Sequence, residues 1–335
     1  MTRIIVTGGS GFIGTNYVGF LLDNGVKDII NIDIKKPSNS QHYEFWRECD
    51  ILDEKKLRQV VREFSPTHIV HLAATTGVSE KSIKAFAANI DGVKNLINAT
   101  KDIPGLERII FTSSLLVCKM GYMPKHDIDY KPSTFYGQSK VMGEEIVRSQ
   151  TDLSFSWTII RPISIWGPWF NEPYKNFFKA ISQGWYFHIG SGHYRRSLGY
   201  VENTVFQIHK LLIAPVEKVG GKTFYVADDQ PLDLYDMSDW VRQILGAKKI
   251  RNFPVWTARF AALAGDVLKA LGWKSVPLSS FRLENIRTEY VYDLSPTMMI
   301  CGSLPYSHRE GVKRTIDWMV RAGELRQPPE AQKNV

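Results

Sequence analysis

The chain has 335 residues, of which 44% are hydrophobic and 23% charged; this balance supports a packed core and excludes disordered, collagenous and disulfide-scaffold classes. Lys plus Arg number 42 against 34 Asp plus Glu, a formal charge of +8, but the basic residues are scattered (Lys35-Lys36, Arg195-Arg196, Lys248-Lys249), so a solvated basic surface is the first reading, a small anionic ligand the next and nucleic acid the last. No run approaches the roughly 18 apolar residues of a membrane span, the opening residues lack a signal peptide's apolar region, and Cys49, Cys118 and Cys301 form no CxxC, which together point to a cytoplasmic protein with no membrane partner and no metal.

Arg3–Thr7 reads as a buried strand and Phe12–Asn24 as a helix; Asp28–Ile34 is a second strand, with Glu54–Phe64 helical behind it. His68–Ala73 is a third strand, followed by a long helix over Ser82–Thr100. Arg108–Ser113 is a strand, Phe135–Thr151 a helix, and Ser156–Arg161 another strand. Strands alternating with helices of this length predict right-handed crossovers and a parallel sheet covered on both faces, a doubly wound α/β fold. From Trp166 to Tyr200 the rhythm breaks into aromatic, Gly and basic residues, read as loops around a site; Trp166, Trp169, Trp185 and Tyr186 either line its pocket or form an ordinary aromatic core. Beyond it, Thr223–Ala227 resembles a strand, Leu234–Leu245 a helix, and Val255–Leu271 an amphipathic helix ended by Gly272. The division expected is 1–166 for dinucleotide binding, with later segments returning to it, a smaller discontinuous substrate domain over 167–326, and a frayed tail at 327–335.

Thr7-Gly8-Gly9-Ser10-Gly11-Phe12-Ile13-Gly14 lies directly between the first strand and the first helix. Gly8 allows the tight turn, Gly11 lets the backbone approach a pyrophosphate, and Gly14 allows close helix–strand packing. The helix opened by Phe12 and Ile13 offers N–H donors to the phosphates. Asp33 ends the second strand, where a carboxylate accepts from the adenosine ribose hydroxyls and repels a 2′-phosphate. That favours NAD, while Lys35 and Lys36 leave NADP open. Tyr136 and Lys140 stand at i and i+4 on one helix face, so the ammonium is expected to lower the phenol's pKa and fit it for proton exchange with a hydroxyl or ketone. The strand end Phe111-Thr112-Ser113-Ser114 lies at the sheet edge where such folds bind ligands.

These segments resemble the extended short-chain dehydrogenase/reductase family, in its NAD-dependent nucleotide-sugar epimerase/dehydratase branch, across nearly the whole chain. The resemblance rests on TGGSGFIG (7–14), CDILD (49–53), HLAA (71–74), NIDGVKNL (89–96), FTSS (111–114), YGQSK (136–140), RPISIWGP (161–168) and RRSLGYVEN (195–203). It implies a Rossmann domain in which Ser114 is the catalytic serine, Tyr136 the acid/base, and Lys140 the lysine that also holds the nicotinamide ribose. It further implies Asp50 and Ile51 beside the adenine, Ala73 and Ala74 along the diphosphate and nicotinamide, Asn89 supporting the catalytic network, and Arg196 on a substrate phosphate.

Several positions depart from the branch. Leu115 and Leu116 replace the Asp-Glu pair of 4,6-dehydratases, and neither transfers a proton. Ser164 stands where many epimerases contact the sugar nucleotide through Asn, Ser197 replaces an Asp, and Asn203 is closer to hydroxysteroid dehydrogenases. The resemblance therefore implies an NAD(P)-dependent oxidoreductase acting at C4 of a nucleotide-diphosphate sugar, as a 4-epimerase or a 4-keto reductase or dehydrogenase. The alternatives are a reductase or dehydrogenase of a hydrophobic hydroxy or keto compound, and a non-catalytic dinucleotide sensor. The family's habit of pairing through two helices implies a homodimer built on Ser82–Thr100 and Phe135–Thr151.

Overall fold

Ile4–Thr7 (β1) has four buried residues in a row, the signature of a strand covered on both faces. It belongs to a sheet with Ile29–Asp33 (β2), Trp46–Glu48 (β3), His68–His71 (β4), Arg108–Thr112 (β5), Ser156–Pro162 (β6) and Thr223–Val226. The computed structural model describes residues 2–77, 80–171, 174–190, 194–273 and 279–326; the tail expected to fray lies outside them. Among the described residues the main sheet has seven strands, ordered Thr223–Val226, β6, β5, β4, β1, β2, β3, and every pairing is parallel. The chain builds outward from β1 through β2 to β3, then crosses back to β4 and builds the other way. The switch between β1 and β4 opens a crevice at their carboxyl ends, where open α/β sheets bind ligands.

The helices Phe12–Asp23 (α1), Glu54–Phe64 (α2), Ala87–Thr100 (α3) and Phe135–Arg148 (α4) supply the covering layers. Alternation along β1 splits its side chains between faces. Ile4 and Val6 pack with Tyr17, Val18 and Leu21 of α1 and with the helix Val201–Ile213, whereas Ile5 packs with Leu57 and Val61 of α2 and Val93, Leu96 and Ile97 of α3.

Among the described residues the chain separates into two compact units, one of residues 2–169, 198–229 and 292–306, the other of 170–197, 230–291 and 307–326. The second contains the helices Tyr174–Ser182, Leu234–Leu245, Val255–Ala270, Ser280–Arg287 and His308–Arg321. It also has two short strand pairs, Phe187–Ile189 with Arg251–Phe253 and Arg195–Arg196 with Leu232–Asp233.

Three local expectations are corrected. The segment from 166 to 200, read as loops, includes the helix Tyr174–Ser182 and short strands. The long helix expected from Ser82 begins instead as a 3-10 turn, Ile83–Phe86, capped by the Ser82 side chain on Lys84 N–H, before α3 starts at Ala87. Trp46–Glu48 was not expected as a strand, since it lacks an apolar run; its pairing with β2 and a Trp46 Nε1 bond to Asp33 O (3.0 Å) hold it at the edge.

Candidate active site

The glycine loop shows which of its glycines the fold itself requires. Gly8 has φ +73, and a Cβ there would meet the backbone N of Ala73 at 2.6 Å, because the loops after β1 and β4 run side by side at the switch. At Gly14 a Cβ would lie 2.2 Å from Gly8 O, so this residue lets α1 start directly on the turn. Gly11 is different: its φ is −77, and a Cβ would meet only Gly8 O, at 3.2 Å. As N-cap of α1 it also provides no side-chain acceptor. The fold thus leaves space and a positive helix end at Gly11, as a pyrophosphate needs.

Asp33, at the end of β2, accepts from Ser10 N (3.0 Å) through Oδ2 and from Lys35 N (2.9 Å) through Oδ1, which fixes its carboxylate against the loop. Asp50 is exposed and turns back on Leu52 N (2.9 Å), while Ile51 is buried. Asn95 of α3 donates to Ile51 O (3.0 Å), and a Cβ at Gly92 would meet Ile51 Cδ1 at 2.5 Å, so α3 presses on this loop. Ala73 and Ala74 follow β4, and Ala73 N donates to Thr7 Oγ1 (3.3 Å), itself bonded to His71 Nδ1 (2.7 Å). Burial holds His71 neutral, its pKa lowered to about 3, with Lys140 adding to the effect.

On the neighbouring strand ends, Ser114 caps the 3-10 turn Leu115–Val117. Gly137 brings α4 onto that turn, since a Cβ there would lie 2.1 Å from Leu116 O. The contact places Tyr136 beside Ser114, whose hydroxyl pulls the phenol's pKa down. Lys140 Nζ donates to Thr112 O (2.8 Å) and lies 6.0 Å from the centre of the Tyr136 ring. Ser114, Tyr136 and Lys140 are therefore brought together.

The expected electrostatics do not follow. Burial pushes the Tyr136 phenol up, with Ser114 only partly opposing it. Burial lowers the Lys140 ammonium to about 8, against an upward pull from Glu144. Desolvation outweighs the charge coupling that the i, i+4 spacing suggested.

Asn89 is a bracket between loop and helix. It accepts from Thr75 N (2.8 Å) and donates to Thr75 O (3.0 Å) and Ser139 Oγ (2.9 Å), while Ser139 donates to Tyr136 O (2.7 Å).

Beneath Lys140 lies a group the sequence reading missed. Glu144 and Arg161 are both about 1% exposed in their side chains and form a two-pronged pair, Nε–Oε1 2.8 Å and Nη2–Oε2 2.7 Å. Tyr130 OH adds a bond to Oε2 (2.9 Å), and Tyr225 OH accepts from Arg161 Nη1 (3.0 Å). Burial alone would raise the Glu144 pKa, but bonds and charge from Arg161 bring it below the usual value. Glu144 does stand four residues after Lys140 on α4, a signal that a face-by-face reading could have used. A cavity of about 20 Å³ beside these groups, lined by His71, Asn89, Ser113, Lys140 and Glu144 among others, has room for one water.

Ser164, just after β6, adopts φ +42, a backbone region that non-glycine residues rarely occupy. Arg196 belongs to the second unit, where it is buried, donates from Nε to Thr288 O (3.2 Å) and lies over the Tyr290 ring at 5.4 Å. Of the aromatic residues expected to line a pocket, Trp166 is fully buried against Tyr200 and Trp185 is 78% exposed. Asn203 is structural, bonded to Asp228 Oδ1 (2.9 Å) and Tyr306 O (2.8 Å).

A glycine cradle at the switch point of a parallel sheet, with space at Gly11, defines a doubly wound dinucleotide-binding protein. Residues 4–227 match the NAD dependent epimerase/dehydratase family, and the chain belongs to it. NAD is accordingly its cofactor, and the cradle fits that group. A relative from Escherichia coli O157:H7, N-acetyl-alpha-D-glucosaminyl-diphospho-ditrans,octacis-undecaprenol 4-epimerase, is 26% identical over 323 residues, 94% of this chain and 95% of that protein. The 3 beta-hydroxysteroid dehydrogenase/Delta 5-->4-isomerase of Mycobacterium tuberculosis (strain ATCC 25618 / H37Rv) is 26% identical over 265 residues, 73% of this chain and 70% of its own. In structure, the UDP-glucuronic acid 4-epimerase from Bacillus cereus in complex with NAD superposes with a TM-score of 0.74 at 19% identity, over 96% of this chain and 99% of that one; this likeness establishes the fold.

Proposed function

We propose that the protein is an NAD-dependent oxidoreductase acting at C4 of a nucleotide-activated sugar, as a 4-epimerase or as a 4-keto reductase or dehydrogenase. The observation that carries this reading is the Tyr136 phenol, set beside Ser114 and backed by Lys140, at a strand end of the sheet that bears the glycine cradle. In this assignment Gly8, Gly11, Phe12, Ile13 and Gly14 hold the NAD pyrophosphate, Asp33 the adenosine ribose, Asp50 and Ile51 the adenine. Ala73 and Ala74 run along the diphosphate and nicotinamide, and Lys140 holds the nicotinamide ribose. Bound NAD supplies the hydride acceptor and donor. Tyr136 Oη gives a proton to the substrate oxygen on reduction and takes it back on oxidation, while Ser114 orients that oxygen. Burial keeps Tyr136 a neutral phenol, the form that donates, so oxidation is the direction that gains as pH rises.

Arg196 and Ser164 are assigned to the substrate, Arg196 to its diphosphate, where a planar guanidinium matches phosphate oxygens. Leu115 and Leu116 occupy the turn after Ser114 and supply no acid for eliminating water, which argues against 4,6-dehydration. The relative that acts on a lipid-carried sugar diphosphate, aligned over nearly the whole chain, supports a sugar diphosphate as the handle. Pairing of two copies through α3 and α4 belongs to the same reading.

A second reading, oxidation or reduction of a hydrophobic hydroxy or keto compound, is favoured by the hydroxysteroid relative; Asn203 adds nothing to it, being a structural link. The test is incubation with NAD and a panel of nucleotide sugars, with products separated by chromatography. Tyr136→Phe should lower turnover by about 10²–10⁴ with NAD affinity kept. Turnover on sterols but on no nucleotide sugar would transfer the assignment to the second reading, and normal turnover in the Phe variant would remove Tyr136 from the chemistry.

A further inference from the structure

The helix Val255–Ala270 is turned the opposite way from an ordinary surface helix. Its buried residues are small, Ala258, Ala262 and Gly265, and the two alanines pack in a cluster with Ile189 and Leu283. Its large apolar residues point outward: Trp256, Phe260, Leu263 and Val267, continued by Leu271 and Trp273 beyond its end, are each between 58% and 74% exposed. At 100° per residue, positions 256, 260, 263, 267 and 271 fall within an arc of about 80°, so they make one stripe rather than scattered side chains. The Trp256 and Phe260 rings are 6.2 Å apart. The strand leading into the helix ends in Phe253, 41% exposed, edge-on to Phe187 at 5.2 Å. Isolated exposed apolar residues need no explanation; a contiguous stripe marks an interaction surface.

We propose that this helix docks the protein on the surface of an anionic phospholipid bilayer. The charge of this segment selects this occupant. Between residues 247 and 273 the sequence has five basic residues, all exposed, against one acid, Asp266; Lys248, Lys249 and Arg251 lie in the stretch that leads into the helix, Arg259 flanks the stripe, and Lys269 is on the helix's other side. An apolar face with tryptophans at both ends and cationic neighbours is what interfacial helices present to acidic headgroups. A second copy of the chain fits less well, because a two-fold pairing sets the same five cations against one another. Among the described residues no helix is long and apolar enough to cross a membrane, so the contact is with the surface. The docking is independent of the chemistry assigned to Tyr136.

The experiment is cosedimentation of the full chain with vesicles of phosphatidylcholine alone and of phosphatidylcholine mixed with phosphatidylglycerol. Binding to the mixed vesicles should be about tenfold or more tighter, since basic residues near an anionic surface add attraction. Phe260→Glu with Val267→Glu, both at exposed positions, should reduce binding about tenfold while the melting temperature and NAD affinity stay unchanged. A second variant, Lys248→Gln with Lys249→Gln and Arg251→Gln, should lose the preference for the mixed vesicles and leave the apolar stripe intact. The proposal fails if the unmodified protein stays in the supernatant with both vesicles, or if the Glu variant binds like the unmodified protein. It also fails if the Glu variant instead splits a dimer of a chain that binds no vesicle, which would assign the stripe to a second copy.

Discussion

Gly11 separates what the fold requires from what the cofactor requires, and Gly11→Ala tests the separation. At φ −77 the backbone suits alanine, and the new Cβ would meet only Gly8 O, at 3.2 Å. Replacing Gly at a compatible φ gains about 0.4–1 kcal/mol through the unfolded chain, and the tight contact offsets part of that. The stability of the protein without ligand should therefore change by no more than about 1 kcal/mol. The same methyl group occupies the space in front of the uncapped N-terminus of α1. Losing one charge-assisted bond from that end to a phosphate oxygen costs about 1.5–3 kcal/mol, roughly ten- to hundredfold in Kd. Gly14→Ala is the contrast: its Cβ would lie 2.2 Å from Gly8 O and 2.5 Å from Gly9 Cα, so the loop must move, at about 1–3 kcal/mol or more. Denaturant melts and calorimetric titration with NAD read both quantities. NAD binding of normal strength by Gly11→Ala, or a loss of stability as large as that of Gly14→Ala, would refute the assignment of the cradle.

Asp33→Ala removes both the repulsion of a 2′-phosphate and the bond that holds Ser10 N; the preference for NAD over NADP should narrow about tenfold, by titration with each cofactor, and tighter NADP than NAD binding in the unmodified protein would make Lys35 or Lys36 the selector. Glu144→Gln leaves the Arg161 charge buried without its partner carboxylate, and should cost about 3–5 kcal/mol in urea unfolding; a cost under about 1 kcal/mol would show that the pair is not needed for stability. Burial lowers the His71 pKa from 6.5 to about 3 on folding, so the unfolded chain binds more protons between those values and stability falls as pH drops through that window. The expected loss is about 2 kcal/mol from pH 7 to pH 5, and His71→Gln should remove it; an unchanged slope in the variant would place the acid sensitivity elsewhere.

Much of the site was legible because its parts are local. Gly8, Gly11 and Gly14 lie within one loop, and Tyr136 and Lys140 within one turn of helix. The crossover rhythm that predicted the parallel sheet is a matter of short-range periodicity. What was missed depends on partners distant in the chain. The helix Val201–Ile213 buries Asn203 and Gln207 in its core-facing stripe, so its apolar periodicity is blurred until Asp228, Tyr306 and Ala227 are seen to satisfy those side chains. Arg108 reads as a strand-end charge, yet its Nη1 donates to Leu211 O (3.1 Å) and Leu212 O (2.7 Å) at the end of that helix.

The sequence by itself determined the cofactor cradle, the strand–helix alternation of the first 161 residues apart from β3, and the residue types available for proton exchange, since each follows from neighbours within a few positions. Tertiary structure decided the rest. It raised rather than lowered the Tyr136 phenol, because burial depends on everything packed around the ring. It paired Glu144 with Arg161 across 17 residues of sequence. It also chose which face of Val255–Ala270 turns inward. An amphipathic pattern leaves that choice open; here the small residues Ala258, Ala262 and Gly265 are the buried ones, and the aromatic and aliphatic side chains face out.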